Sequence, residues 1–247
     1  MEDEELLRYS RQIMLPDVDI AGQERLSAAR VLIIGAGGLG SPAALYLAAA
    51  GVGHITLVDH DHVELTNLQR QIAHHTSDLG SAKVESAATT LSDINPHIEV
   101  SAVQAKADDG LLQSLVPEST VVLDCTDNFT IRYLINQVCW QHKVPLVSGA
   151  AIGWEGQVSV FDANQADSPC YQCLYGEGDD QALNCAENGV IAPLVGIIGT
   201  TQALEAMKVI MQVGEVLVGR VLYFDGKYME WRSLVLKPNA QCPVCGG

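Results

Sequence analysis

The clearest pattern along the chain is a short apolar run, Arg30-Val31-Leu32-Ile33-Ile34, that ends at Gly35-Ala36-Gly37-Gly38-Leu39-Gly40. An unbroken, β-branched run of this kind suits a parallel strand covered on both faces. Ser41 to Ala50 then predicts a helix with Gly51 as its stop, and His54 to Asp59 the next strand. Strand, glycine turn, helix and strand make a βαβ unit. The alternation continues with a helix from Lys83 to Ile94, stopped by Asn95-Pro96, and a strand from Ile98 to Ala105. Val121 to Asp124 predicts a buried strand, Asn128 to His142 a helix, and Pro145 to Ser148 a fifth strand. Upstream, Asp3 to Ile13 predicts one helix carrying Arg8 and Arg11 on the same face.

After Gly149 the period changes. Gln157 to Phe161 alternates like an antiparallel strand, and Thr200 to Val213 is helical. Arg220 to Phe224 and Tyr228 to Leu236 predict a hairpin around Asp225-Gly226. The expected fold class is α/β: a Rossmann-like, mostly parallel sheet continued by antiparallel strands. One domain is expected over residues 1–247, with a helical segment at 1–29, a nucleotide-binding half at 30–150 and a second half at 151–247.

Composition narrows the partners. The chain has 247 residues and 48% hydrophobic content, enough for a sizeable core. Its 14 Lys and Arg against 30 Asp and Glu give a net charge of −16. That balance argues against nucleic acid and against an anionic membrane, both of which need clustered cations. No run of eighteen apolar residues predicts a membrane span, and the opening Met1-Glu2-Asp3-Glu4-Glu5 has the wrong charge for a secretory leader. A cytoplasmic protein is expected.

In such a reducing compartment, seven cysteines do not suggest a disulfide framework. Four form two pairs, Cys170-x-x-Cys173 and Cys242-x-x-Cys245. Two such knuckles supply four thiolates, the donor set of a closed, structural tetrahedral Zn²⁺ site. Two redox dithiols are the alternative.

Gly35-x-Gly37-x-x-Gly40, between a strand and a helix, is the fingerprint of a dinucleotide or phosphate loop. Gly38 lies inside it. Asp59, at the end of the second strand, stands where a carboxylate meets ribose hydroxyls. An NAD(P)-binding oxidoreductase is one reading, and glycines that only pack helix on strand are another. Asn67, Gln69 and Arg70 follow the second strand, and Lys83 opens a helix. A guanidinium placed there suits a polyphosphate, and a dehydrogenase has no triphosphate to hold. Asp127, after the fourth strand, is placed either to hold Mg²⁺ or to cap the helix that begins at Asn128.

Taken together, Arg8-Tyr9-Ser10-Arg11-Gln12, Gly35 to Gly40, Thr66 to Gln71, Asp124 to Asn128 and the two cysteine knuckles resemble the ubiquitin-activating-like (MoeB/ThiF/HesA) family. The resemblance spans essentially the whole chain. It implies an adenylyltransferase that uses ATP with Mg²⁺ to activate the C-terminal glycine of a ubiquitin-like sulfur-carrier protein ending in Gly-Gly, releasing pyrophosphate. It implies that Gly35, Gly37, Gly38, Gly40, Asp59, Asn67, Gln69 and Asn128 line the nucleotide site, with Arg70 and Lys83 on the phosphates and Asp127 on Mg²⁺. It also implies that Arg11 enters the site of a homodimer partner, that residues 151–247 bind the carrier, and that a cysteine at the place of Cys185 bonds to it. The sulfur is expected from a separate donor. Val147 to Ile152, Glu155-Gly156-Gln157 and Ala192 to Gly196 resemble the molybdopterin-pathway members, whose carrier is the small subunit of molybdopterin synthase. Phe224 to Lys227 and Trp231 to Leu234 resemble the thiamine-pathway members.

Overall fold

The apolar run after Ala29 forms the central strand of the sheet, β1 (Arg30–Ile34), in a computed structural model that describes residues 1–176 and 189–246. Its side chains alternate between two cores. Val31 and Ile33 pack on one face with Ala43 and Leu47 of α4 (Gly40–Ala49) and Ile198 of α9 (Ala192–Met211). Leu32 and Ile34 pack on the other with Ile135 and Val138 of α7 (Phe129–His142). Burial on both faces is why the strand reads as continuous apolar sequence.

The other strands are β2 (His54–Val58), β3 (Glu99–Val103), β4 (Val121–Asp124), β5 (Leu146–Ile152), β6 (Glu155–Phe161), β7 (Arg220–Asp225) and β8 (Glu230–Val235). They form one sheet in the order β3-β2-β1-β4-β5-β6-β7-β8. β3 to β5 pair in parallel, and β5 to β8 pair antiparallel. The mixed sheet predicted from the change of period after Gly149 is therefore present. Strand order reverses between β1 and β4, which opens a crevice beyond their carboxyl ends.

Helices α5 (Lys83–Ile94), α6 (Asp109–Leu115) and α8 (Tyr171–Tyr175) complete the covering layers. α6 and α8 are too short for periodicity to reveal. The N-terminal helix differs from expectation. It is broken into α1 (Asp3–Arg8) and α2 (Ser10–Ile13) at Tyr9, and α3 (Asp19–Ala28) follows. Tyr9 is buried, and its hydroxyl accepts the Asn95 side-chain amide at 2.8 Å. Burying that ring fixes the chain at Tyr9 and interrupts the helix.

α9 starts eight residues before the predicted Thr200. Gly196 and Gly199 read as breakers, but Gly199 is where α9 crosses the start of α4. A Cβ there would lie 2.3 Å from the Leu39 carbonyl oxygen and 2.7 Å from Pro42. At twenty residues and a mean hydropathy of 1.3, α9 meets the length and composition of a membrane span, yet it lies against α4, β5 and β6. At the far edge, all six residues of β8 are exposed.

Gly199→Ala is expected to wedge α9 away from α4. Overpacking of this kind costs about 1–3 kcal/mol. The thermal midpoint should fall by roughly 2–12 °C. An unchanged melting curve would show that the crossing is slack.

Candidate active site

The glycine turn lies at the β1–β4 reversal and leads into the N-terminus of α4. Gly35 has φ +97°, and a Cβ on it would lie 2.7 Å from the Cys125 carbonyl oxygen. Only glycine lets the turn pass so close to the end of β4. The loop is held by its neighbours: Gly35 N–H donates to the Val58 carbonyl at 2.9 Å and Ala36 N–H to Asp59 Oδ2 at 2.8 Å. The other Asp59 oxygen accepts Asp61 N–H at 2.9 Å. Asp59 thus ties the tip of β2 to the loop. In the opening turn of α4, Ser41 N–H donates to the Gly37 carbonyl and Ala43 N–H to the Leu39 carbonyl, and Pro42 has no N–H, so the turn offers the crevice chiefly the positive end of its dipole, which favours an anion.

Beside the loop, Lys83 is buried and its Nζ lies 2.9 Å from Asp61 Oδ2. Burial pushes the Asp61 carboxyl up, but the hydrogen bond and charge of Lys83 outweigh it and hold the pKa below the ordinary value. Asp61 was not anticipated, because an acid in a polar turn gives no sequence signal. Asn67 closes the short 3₁₀ turn Leu65–Asn67, its Oδ1 accepting Glu64 N–H. Arg70 is half-buried and donates to the Thr66 carbonyl of its own loop at 3.1 Å, while Gln69 is exposed. The next residue, Gln71, is buried against Gly37. Arg70 forms no ion pair among the described residues.

At the tip of β4, Asp124 is fully buried on the face toward α7. It accepts Thr126 N–H at 3.0 Å, the Thr126 hydroxyl at 2.6 Å and the Ser148 hydroxyl at 3.1 Å. The buried Arg132 of α7 lies 4.0 Å from it and also donates to the Thr126 carbonyl and the Tyr171 hydroxyl. Burial works against the Arg132 charge, but Asp124 outweighs it and raises the guanidinium pKa. Arg132 was missed, although a lone arginine within the apolar stripe of a helix is itself a signal of a buried partner. Asn128 caps α7, its Oδ1 accepting Ile131 N–H at 3.0 Å. Asp127 is exposed, is not the cap, and forms no ion pair among the described residues.

Beneath the loop, His74 is buried, with Nε2 3.0 Å from the Ala36 carbonyl and Nδ1 2.9 Å from Ser86 Oγ. Ser86 Oγ is also 2.8 Å from Asp78 Oδ2, which accepts His75 N–H as well. These contacts hold the Asp78 pKa down to about 2, with the His75 N–H bond the largest cause.

The four knuckle thiols meet as predicted, their sulfurs all within 4.8 Å of one another. Cys170–Cys242 and Cys173–Cys245 separations of 3.5 and 3.3 Å are far too long for disulfides. They are close to the roughly 3.8 Å edge of a tetrahedral Zn–S₄ centre. Asn239 N–H also points at Cys173 Sγ at 3.3 Å, a contact that stabilises a thiolate. This set could hold zinc. Cys185 lies outside the described residues. Cys125 and Cys139 are buried, and burial drives both thiols up and out of nucleophilic range.

Arg11 is not brought into this crevice. It is exposed on α2, and its neighbour Gln12 donates to the Ala50 carbonyl beyond the far end of α4.

Two outcomes follow from these groups. A strong chelator should lower the melting temperature, and elemental analysis should find about one zinc per chain. The second outcome concerns acid. The folded Asp78 pKa of about 2 lies below its unfolded value of 3.8. Its contribution to stability is complete above the unfolded value and is lost as pH falls toward the folded one. Asp78→Asn should therefore flatten that acid limb in a pH series of denaturant melts.

Comparison with known proteins gives the same assignment along the whole chain. The ThiF family model matches residues 9–244. The molybdopterin-synthase adenylyltransferase of Salmonella typhimurium is 48% identical over 246 residues, covering 100% of this chain and 98% of that one. The sulfur carrier protein ThiS adenylyltransferase of Escherichia coli is 44% identical over 247 residues, again covering 100% and 98%. Among solved structures, Escherichia coli MccB with MccA-N7isoASN superposes with a TM-score of 0.84 at 25% identity, covering 98% of this chain and 75% of that one. A parallel sheet with a glycine turn at its reversal, continued by three antiparallel strands and matched over residues 9–244 by the family model, places the chain in the ThiF family.

Proposed function

We propose that this protein adenylates the C-terminal glycine of a ubiquitin-like sulfur-carrier protein, using ATP and releasing pyrophosphate. The observation that carries the reading is the glycine turn at the strand reversal, supported by the Lys83–Asp61 pair in the segment after β2 and by the exposed Asp127 in the turn after β4. The relatives' names supply the reaction, and this crevice supplies charges suited to it. Identity favours the molybdopterin-synthase type, at 48% against 44% for the ThiS type.

The carrier's terminal carboxylate attacks the α-phosphorus of ATP. A new P–O bond forms as the bond to the bridging oxygen breaks, and pyrophosphate leaves. Negative charge grows on the phosphoryl oxygens and on the leaving group, so catalysis depends on fixed cations rather than on an acid–base pair. The N–H groups of Gly37, Gly38 and Gly40 would face the phosphates, with Asp59 on the ribose. Asn67, Gln69 and Asn128 would complete the lining. Lys83 is already fixed by Asp61, whereas Arg70 has to turn from the Thr66 carbonyl toward the phosphates. Asp127 would hold Mg²⁺, which when bound neutralises phosphate charge.

Arg11 is assigned to the partner's site in a homodimer. Its support is geometric. α4 has ten residues and is about 15 Å long. Arg11 is anchored by its neighbour beyond one end, and the glycine turn lies at the other. Exposed Leu7, Met14, Leu15, Ile20 and Tyr46 give the N-terminal helices and α4 an apolar surface suited to a second copy. A separate protein supplies sulfur to the adenylated carrier. An NAD(P)-binding oxidoreductase would have no use for Arg70 and Lys83.

Asp127→Ala is expected to cut carrier-dependent ATP–pyrophosphate exchange by roughly 10²–10³. Activity within a few-fold of wild type would remove Asp127 from the reaction. Mixing inactive Arg11→Ala and Asp127→Ala chains should restore exchange at about a quarter of all sites, because half of randomly assorted dimers are mixed and each carries one intact site. No recovery after confirmed subunit exchange would place Arg11 outside the partner's site.

A further inference from the structure

We infer that His74 is a positioning residue of the phosphate loop, fixing the Ala36–Gly37 peptide from below and taking up a proton when an anionic polyphosphate occupies the loop. The inference rests on the reading of this loop as the nucleotide site.

The Ala36 residue is gripped on both sides. Its N–H is held by Asp59 Oδ2 at 2.8 Å, and its carbonyl lies 3.0 Å from His74 Nε2. A carbonyl oxygen only accepts, so Nε2 carries the hydrogen. In a trans peptide the C=O and the following N–H point in opposite directions. Drawing the Ala36 carbonyl down to His74 therefore aims Gly37 N–H away from the core, to the side open to a ligand. Ala36 and His74 are buried, whereas Gly37 is partly exposed.

The hydrogen count at the other ring nitrogen gives His74 two states. Nδ1 is 2.9 Å from Ser86 Oγ, which is also 2.8 Å from Asp78 Oδ2. One hydroxyl has one hydrogen. In the neutral ring it serves either Nδ1 or Asp78 Oδ2, and the other goes without it. In the imidazolium, Nδ1–H donates to Ser86 Oγ, and the hydroxyl turns to Asp78. The second state puts a full positive charge beneath the loop and strengthens the bond to Ala36. The charged groups facing the ring are Lys83 of α5, Asp59 at the tip of β2, and Asp78 of the Thr76–Asp78 turn, with His75 beside Asp78. Burial is the largest influence and lowers the His74 pKa, and Lys83 acts in the same direction; the Ala36 contact and the two carboxylates oppose them. The unliganded ring is therefore mostly neutral near pH 7, and phosphate charge above the loop draws a proton onto it from solvent. By linkage, nucleotide affinity rises as pH falls through the bound-state value and levels off below the free-state value.

The test compares wild type with His74→Gln, which keeps an N–H donor but does not titrate, and with His74→Leu, which keeps neither. ATP binding is measured by calorimetry between pH 6 and 8, in buffers of different ionisation heat, alongside thermal melts. ATP titrates in the same range, so the readout is the difference between chains. His74→Leu should weaken ATP binding roughly three- to tenfold. His74→Gln should recover most of that loss yet take up fewer protons than wild type. If both variants bind ATP with wild-type affinity and proton count, the proposal is overturned even if their melting points fall. If folded wild type binds no ATP, the reading of the loop as a nucleotide site fails instead.

Discussion

A carboxylate without solvent access at the end of β4 governs the architecture around the crevice. Removing an ion from water costs several kcal/mol, and the cost is met only where partners surround it. Asp124 gathers them from four places: the turn after its own strand, Ser148 on β5, Arg132 on α7 and, through Arg132, Tyr171 on α8. The same set of contacts shapes the floor of the site. The turn that carries Asp127 is fixed because Thr126 is bonded at its amide, hydroxyl and carbonyl. The cysteine knuckle is tied into it as well, since Tyr171 follows Cys170 and its amide donates to Asn136 of α7. Stability and site geometry are one network here.

Much of this was legible in the sequence, and what was legible is what local chemistry dictates. β1, β4 and α5 occupy the predicted residues because an unbroken β-branched run, or a helix stopped by Asn95-Pro96, needs no outside information. The glycine turn, Asp59, Lys83 and the four knuckle cysteines fell where spacing placed them. The misses share a different cause. Tyr9 breaks a good helical sequence because its ring is buried against Asn95, a contact 86 residues away. α9 runs through Gly199 because the crossing with α4 requires a missing side chain there. Asp61 and His74 matter through Lys83 and Ala36, 22 and 38 residues away, and spacing carries no trace of such partners. Asp127 lost its alternative capping role for a local reason, since α7 begins at Phe129 and the cap position falls on Asn128.

The pairing of the two cysteine knuckles has a consequence during synthesis. Cys170 and Cys242 are 72 residues apart along the chain. At about 5–20 residues per second, the first pair leaves the ribosome several seconds before the second is made. Until then a bound metal has only two of its four sulfurs, and those thiols are open to oxidation and to exchange with other cations. A four-sulfur cage could therefore close only after β8 has been made, and it would then tie the chain beyond β6 to the chain beyond β8.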